Sequence, residues 1–281
     1  MKMKGSFMII IGVLLTFCQQ NTSEEKWVRL FNGKDLEGWE TYLGPKYDMI
    51  QEKFDGEPIG VNIDPNDIFS VVEVEGEPAI RISGEFFGGI NTLQEFENYH
   101  LQLQFKWGQK KWVPRKDKKR DSGLLYHGVG NHGEHDTFWL RSQECQIQEG
   151  DVGDYWGVGN AMFDIPASDT SDFKVYHPNG QLTTFSTTSD HGRHCIKYPD
   201  AEKPAGEWNT VDLFCVGDTS VHMVNGKVNM ILYNSRYFDG SKEVPLKKGK
   251  IQIQSEGAEV FYKEIKIRSI TKLPEKLNRE S

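Results

Sequence analysis

The stretch Tyr99-His100-Leu101-Gln102-Leu103-Gln104-Phe105-Lys106-Trp107 alternates apolar and polar residues without a break. This alternation predicts a β-strand with one face in an apolar core, because successive strand side chains point to opposite sides of a sheet. Similar short runs recur along the chain, among them residues 210–216 and 260–270, in a sequence with 28 glycines. No convincing amphipathic helix lies between them. The pattern therefore predicts an all-β sandwich or barrel.

Turn and loop signals divide the runs. Asn225-Gly226 stands between two apolar runs and is the strongest short signal for a β-hairpin. Residues 43–67 and 160–205 are polar and rich in Gly, Pro, Ser or Thr, with little periodicity. We predict that both form long irregular excursions, which in compact domains are often functional.

The N-terminus has the pattern of a secretory signal. Residues 1–17 carry two lysines and then an 11-residue apolar run, Phe7 to Phe17, too short to span a bilayer as a helix. The following Leu15-Thr16-Phe17-Cys18 resembles a bacterial lipobox with Cys18 as the lipidated residue. We therefore expect a signal peptide over 1–17, a lipid-anchored tether over 18–26, one domain over 27–272 and a polar tail over 273–281. This organisation predicts a lipoprotein of the bacterial cell envelope, in the outer membrane or periplasm.

Charge and cysteine content narrow the function classes. The formal net charge is −8, and removal of the two lysines with residues 1–17 takes it to −10. A chain with this negative net charge is not expected to bind nucleic acid, which requires a basic surface. The one basic run, Lys110 to Arg120, is interpreted as a solvated loop. Cys145, Cys195 and Cys215 lack the spacing of a zinc site, and one disulfide among them is possible.

Two strands carry an unusual polar face. In Glu144-Cys145-Gln146-Ile147-Gln148-Glu149, alternation places Glu144, Gln146 and Gln148 together, with Cys145 and Ile147 on the other side. Residues 251–256 repeat the pattern with Gln252, Gln254 and Glu256. Carboxylates and amides suit the wall of a groove that hydrogen-bonds a sugar. We expect the two strands to line one polar concavity.

Five segments together resemble the DUF1080 family, whose members are named 3-keto-disaccharide hydrolases and 3-keto-glucoside-1,2-lyases. The likeness spans residues 27–270. In order, the segments are Leu30 to Trp39, Asp121 to Leu124, Glu144 to Gln148, Gly206 to Asn209 with Val224 to Lys227, and Phe261 to Ile267. The resemblance implies a concanavalin A-like jelly-roll β-sandwich in the bacterial envelope that acts on oxidised glucosides.

The implied reaction needs acid–base groups and no redox cofactor. A 3-ketone acidifies the C2 hydrogen of a glucoside, so a base can remove it and the aglycone can leave from C1. We consider His127 or Glu149 as the base, since the unperturbed pKa of histidine suits this work. Glu144 and Glu149 are the acid candidates.

The remaining candidates bind substrate. Gln146, Gln148 and Gln254 are expected to hydrogen-bond sugar hydroxyls or the keto oxygen, and Trp156, with its neighbour Tyr155, to stack on a ring. Asp121 and Tyr126 are further binding candidates. Arg141 and Arg193 are candidates to stabilise an enolate. No metal is expected, because His132 and His135 have only weak ligand spacing.

Two alternatives stay open. Glu144-x-Gln146-x-x-Glu149 has the outline of the acidic strand of jelly-roll retaining endo-glycosidases, in which a bulge brings two carboxylates to one face. The chain could also be a carbohydrate-binding protein without catalysis, because fold alone does not decide function. Strict alternation puts Glu149 opposite Glu144, so the two-carboxylate site requires a bulge or strand end between Gln148 and Glu149.

Overall fold

The computed structural model describes residues 26–275 and Leu277. In this part of the chain the regular structure is β-strand, with no α-helix assigned. Consequently no described helix is long and apolar enough to cross a membrane. The signal peptide and Cys18 lie outside the described residues and stay predictions.

The strands are numbered in chain order. They are β1 (Val28–Arg29), β2 (Trp39–Leu43), β3 (Lys46–Asp48), β4 (Lys53–Asp55), β5 (Gly60–Val61), β6 (Phe69–Val74), β7 (Glu77–Ile82), β8 (Gly88–Thr92), β9 (Tyr99–Lys111), β10 (Asp121–Val129), β11 (Arg141–Gln148), β12 (Tyr155–Val158), β13 (Ala161–Asp169), β14 (Lys174–Tyr176), β15 (Gln181–Phe185), β16 (His194–Cys195), β17 (Asn209–Val216), β18 (Thr219–Val224), β19 (Lys227–Phe238), β20 (Glu243–Pro245), β21 (Lys250–Ser255) and β22 (Ala258–Ser269).

Two antiparallel sheets form the sandwich. The back sheet runs in the order β14-β13-β19-β18-β17-β9-β22-β7-β6, with β1, β15 and β20 attached at its sides. The front sheet runs in the order β16-β12-β11-β10-β21-β8-β2-β5, and β3 and β4 form a separate hairpin. Many strands that are neighbours in a sheet are distant in sequence. This arrangement confirms the predicted all-β jelly-roll sandwich.

One apolar core lies between the sheets. From β9 of the back sheet, Leu101, Leu103 and Phe105 are fully buried, as their alternation predicts. Ile147 and Ile253 reach the same cluster from the front sheet. The core therefore takes one face of each sheet and leaves the other face of the front sheet free for polar groups.

The hairpin prediction is confirmed and the loop prediction for 160–205 is wrong. Asn225 and Gly226 join β18 to β19 with φ values of 48° and 79°, the left-handed backbone that a two-residue hairpin requires. Residues 160–205 instead contain β13 to β16, and β13 pairs with β19 of the back sheet. A partner strand that is distant in sequence supplies the hydrogen bonds here, so local composition is a poor guide.

Candidate functional site

The two polar strands lie on the side of the front sheet that points away from the core. β10 lies between them, with Leu125 opposite Glu144 of β11 and opposite Gln252 of β21. Since Cys145 and Ile253 belong to the core, the residues that alternate with them point outward. We call this outward surface of β11, β10 and β21 the polar face.

A glycine at the middle of the polar face leaves room for side chains from the two neighbouring strands to meet. Gly123 of β10 stands opposite Gln146, and a Cβ on Gly123 would collide with Oε1 of both Glu144 and Gln254. Within the described residues, Gln254 Oε1 has no hydrogen-bond partner. No described residue forms a hydrogen bond with the carboxyl of Glu144 either. Two unsatisfied groups therefore converge over Gly123, where a ligand hydroxyl or carbonyl could satisfy both.

At one end of the polar face, an arginine holds two carboxyls together. Arg115 forms an ion pair with Asp121, and its Nη1 lies 3.5 Å from Oε1 of Glu256. Gln148 donates its side-chain amide to Asp121 Oδ2, whereas Asp121 Oδ1 has no partner among residues 26–275. The turn that carries Arg115 is fixed to this edge because the N–H of Trp112 donates to the carbonyl of Gly257.

Burial raises the pKa values of three carboxyls here. Glu144 has its pKa raised well above the usual range by burial and then by the charge of Asp121, against the opposing charge of Arg193. Burial and the charge of Asp121 likewise raise the pKa of Glu256, although Arg115 opposes them. The pKa of Asp121 rises to about 7, because burial outweighs the attraction of Arg115. Protonated and ionised carboxyls can therefore coexist at neutral pH, as acid–base chemistry requires.

The raised pKa of Glu144 gives a stability prediction. The unfolded chain ionises this residue at its usual pKa, so the folded state loses stability as pH rises above that value toward the folded pKa. Glu144→Gln removes this loss. At pH 7.5 we expect a gain of at least about 1 kcal/mol, which corresponds to roughly 2–4 °C in Tm, and at pH 4 almost none. Thermal unfolding at both pH values measures the difference.

Glu57 supplies the control, because its side chain is exposed. We expect Glu57→Gln to shift Tm by the same small amount at pH 4 and pH 7.5. A Glu144→Gln protein that is no more stable than wild type at pH 7.5 would contradict the burial argument.

An aromatic and cationic group borders the polar face on the β12 side. Trp156 stands opposite Glu144, and its ring stacks on His194 of β16, with centroids 4.2 Å apart and planes inclined by 9°. His194 Nε2 lies 2.7 Å from Oδ2 of the buried Asp154. The guanidinium of Arg193 lies 5.3 Å from the Trp156 ring centroid. This group can offer a sugar a flat apolar surface together with charged donors.

On the other side, residues 131–140 cover β2 and β8. His132 stacks on Tyr42 of β2 at a centroid distance of 4.8 Å, and the indole N–H of Trp139 donates to a backbone carbonyl of β8 at 3.1 Å. The polar face is therefore bounded by Trp139 on one side and Trp156 on the other.

The expectation that His127 and Tyr126 face the cleft is not met. β10 has a register shift between Tyr126 and Val129, and His127 has a left-handed φ of 54°. This irregularity turns the buried His127 ring away from the polar face, with Nδ1 3.1 Å from the carbonyl of Leu246 and a pKa that burial lowers to about 4. Tyr126 is also fully buried, with its hydroxyl 3.0 Å from Nε2 of His222.

Glu149 and Arg141 also lie away from the polar face. β11 ends at Gln148 without a bulge, and Glu149 is held by Arg120, whose Nη1 donates to both carboxylate oxygens at 3.0 Å. Arg141 donates to the carbonyl of Gly159 at 2.7 Å and contacts Nδ1 of His135 at 3.1 Å, so it ties two loops together. The two-carboxylate arrangement of Glu144 with Glu149 is therefore absent.

Most of the other predicted site residues do come together in the structure. Asp121, Glu144, Gln146, Gln148, Gln254 and Trp156 lie on or beside the polar face. Glu256, Arg115 and Gly123 were not among the candidates. Alternation in residues 251–256 already groups Glu256 with Gln254, so that signal was present. The basic run around Arg115 gave no sign of a role in the site, because the position of this turn depends on contacts with Glu256 and Gly257, just after β21.

Metal and cysteine chemistry receive no support from geometry. Among the described residues, no group of three or more His, Cys, Asp or Glu side chains could hold a metal ion. His132 is instead 3.2 Å from Oε1 of Glu40. Cys145, Cys195 and Cys215 are buried and unpaired by disulfides.

Comparison with known proteins identifies a matching family. A family model for the 3-keto-alpha-glucoside-1,2-lyase-like domain matches residues 26–268. A search of curated proteins finds none that matches this chain.

Among solved structures, a presumed glycosyl hydrolase from Parabacteroides distasonis is 18% identical, with 87% of this chain and 94% of that chain covered and a TM-score of 0.49. A second presumed glycosyl hydrolase from the same organism is 20% identical, with 87% and 100% covered and a TM-score of 0.48. A Bacillus licheniformis β-glucanase is 10% identical, with 89% and 99% covered and a TM-score of 0.39. Similarities this low carry no argument about chemistry, which has to come from the site.

Proposed function

This chain belongs to the family of 3-keto-alpha-glucoside-1,2-lyase-like domains, and we propose that it is a carbohydrate-active enzyme that cleaves 3-keto-glucosides. In the proposed reaction a base removes the proton on C2, and the C–H electron pair forms an enolate with the 3-ketone. The enolate then returns its electrons to form the C1=C2 double bond, and the aglycone oxygen leaves C1 with a proton. Addition of water to that double bond would complete a net hydrolysis.

Asp121 and Glu256 are suited to the two proton transfers. Asp121 is buried and Glu256 half-buried beside one guanidinium, and each has a raised pKa. Neighbouring carboxyls of this kind hold one proton between them, so one is a base while the other is an acid. We assign removal of the C2 proton to Asp121, whose Oδ1 has no partner in the described structure. Glu256 then donates its proton to the leaving oxygen.

Glu144 is suited to stabilise the enolate. A carboxylic acid kept neutral by an apolar site can donate a hydrogen bond to a developing oxyanion, a strategy that ketosteroid isomerase uses. Burial raises the pKa of Glu144 well above its usual range and so favours the protonated carboxyl. No described residue takes up its hydrogen bond. The proposed acceptor is the 3-keto oxygen of the substrate.

Sugar binding is assigned to the rest of the polar face. Gln146 and Gln254 offer amides to the hydroxyl groups, and Trp156 offers a ring face. We also assign His194, stacked on Trp156 and hydrogen-bonded to Asp154, to the rim of the sugar site.

The observation that carries the proposal is the convergence of three carboxyls with raised pKa values around Gly123 and Arg115. A retaining endo-glycosidase would need Glu149 beside Glu144, but Arg120 holds Glu149 elsewhere. A carbohydrate-binding protein would have little use for three acids withdrawn from solvent, because their desolvation destabilises the fold.

The test compares a 3-keto-glucoside with its parent glucoside. We expect turnover of the keto compound and none of the parent, because only the ketone acidifies C2–H. In heavy water, deuterium should enter C2 of the hydrated product. Cleavage of the unoxidised glucoside would favour a glycosidase, and binding of either compound without turnover would favour a binding protein. The envelope location and the lipid anchor at Cys18 remain part of this proposal.

A further inference from the structure

An apolar cavity adjoins the Arg115 end of the polar face. Its volume is about 140 Å³. The residues that line it and matter here are Tyr47, Met49, Phe54, Phe87, Trp112 and Val113. One carboxylate, Glu85, also contributes to the wall. The neighbouring sugar site is lined by carboxyls and amides, so the change in chemistry between the two is abrupt.

The cavity lies beside the two carboxyls assigned to proton transfer, although neither of them is part of its lining. Ser255 pairs with Gly88, so the flanking residues Glu256 and Phe87 are neighbours on the same side of the sheet. Opposite them, Trp112 and Arg115 belong to one turn, in which the Arg115 N–H donates to the Trp112 carbonyl at 2.9 Å. The same turn therefore supplies a wall of the cavity and the guanidinium of the site.

The lining of the cavity selects a flat apolar group. Phe54 packs at ring-centroid distances of 5.2 Å from Tyr47 and 4.7 Å from Phe87, in tilted and edge-on geometries that aromatic clusters favour. An apolar cavity of about 150 Å³ in another protein is known to bind benzene. One aromatic ring therefore fits this space.

We propose that this cavity is the subsite for an aromatic aglycone, so that the substrates are 3-keto-glucosides of aromatic alcohols or phenols. The assignment rests on the proposed function, since it places the leaving group beside Glu256. The ring enters between the β3–β4 hairpin and the Trp112–Arg115 turn, and the glycosidic oxygen remains at the carboxyl pair. Release of the aglycone then proceeds through the open side at Met49.

The hairpin offers a matched pair of variants. Met49 and Ile50 are adjacent and exposed in the turn between β3 and β4, but of the two only Met49 lines the cavity. Met49→Asp places a carboxylate at the cavity mouth, where it disfavours an aromatic ring. Ile50→Asp adds the same charge one residue away and controls for it. Neither variant removes a buried side chain, so both are expected to fold.

The assay compares benzyl and methyl 3-keto-glucosides, because their leaving alcohols are similarly basic and differ mainly in the ring. We expect kcat/KM to favour the benzyl compound by about tenfold or more, the factor that about 1.4 kcal/mol of ring burial gives. Met49→Asp should abolish this preference by lowering kcat/KM for the benzyl compound. Ile50→Asp should preserve the preference.

A binding measurement separates the subsite from the reaction. 4-Fluorobenzyl alcohol, followed by ¹⁹F NMR, should bind wild type and Ile50→Asp and bind Met49→Asp at least about tenfold more weakly. If the alcohol binds in this pattern but neither keto-glucoside is turned over, the subsite stands and the proposed reaction fails. If the methyl compound is turned over without benzyl preference, or both variants behave alike, the aromatic subsite is wrong.

Discussion

Asp121→Asn is expected to lower kcat/KM toward a 3-keto-glucoside by about 10²–10⁴-fold, the usual contribution of a positioned acid or base. Asparagine keeps the shape of the side chain and can still face Arg115 and Gln148. It cannot accept the C2 proton. Initial rates with the keto substrate measure the loss, and exchange of the C2 hydrogen in heavy water should fall with it.

The pH profile and a matched variant test the same assignment. In wild type, kcat/KM should rise through about pH 7 as Asp121 ionises and fall at higher pH as Glu256 loses its proton. Asp212→Asn changes another buried aspartate, which is hydrogen-bonded to His100 on the back sheet, and should leave this profile in place. Near-native turnover by Asp121→Asn, or a flat profile from pH 5 to 9, would remove Asp121 from the mechanism.

Gly123→Ala is expected to lower kcat/KM by roughly 10²-fold, because displacements of about 1 Å in a catalytic group have effects of this size. The added methyl group would collide with Oε1 of both Glu144 and Gln254. Both are the ends of flexible side chains, so they can move aside and the sandwich can still fold. The measurement is steady-state kinetics together with Tm.

Ser122 provides the contrast for Gly123. It is the preceding residue of β10 and faces the core, where its hydroxyl donates to the carbonyl of Gln254 at 2.8 Å and contacts the hydroxyl of Tyr262 at 2.7 Å. We expect Ser122→Ala to cost about 1 kcal/mol of stability and to spare activity. If Gly123→Ala instead lost stability but kept its activity, Glu144 and Gln254 would not form the proposed site.

The candidate site was partly predictable from the sequence, and the predictions that failed did so for specific physical reasons. The alternation of β11 correctly grouped Glu144 with Gln146 and Gln148, because side-chain direction in a regular strand depends only on position. His127 was expected at the site because its chemistry suits a general base, and that expectation failed. The irregularity after Tyr126 inserts a left-handed residue, which no local apolar pattern announces. Histidine chemistry was therefore expected at a position that packs in the core.

The sequence by itself determined which residues share a regular strand face, where the Asn225-Gly226 turn reverses the chain, and which family the chain belongs to, that of 3-keto-alpha-glucoside-1,2-lyase-like domains. These properties are local: they follow from a period of two residues, from backbone preferences at a turn, or from short motifs in order. Only the tertiary structure decided that β10 separates β11 from β21. It also decided that Gly123 leaves room for Glu144 and Gln254, and that Arg115 reaches Glu256. Those relations depend on strand pairing and loop packing, in part between residues more than 100 positions apart, and such pairing is selected by the burial of the whole core rather than by any one segment.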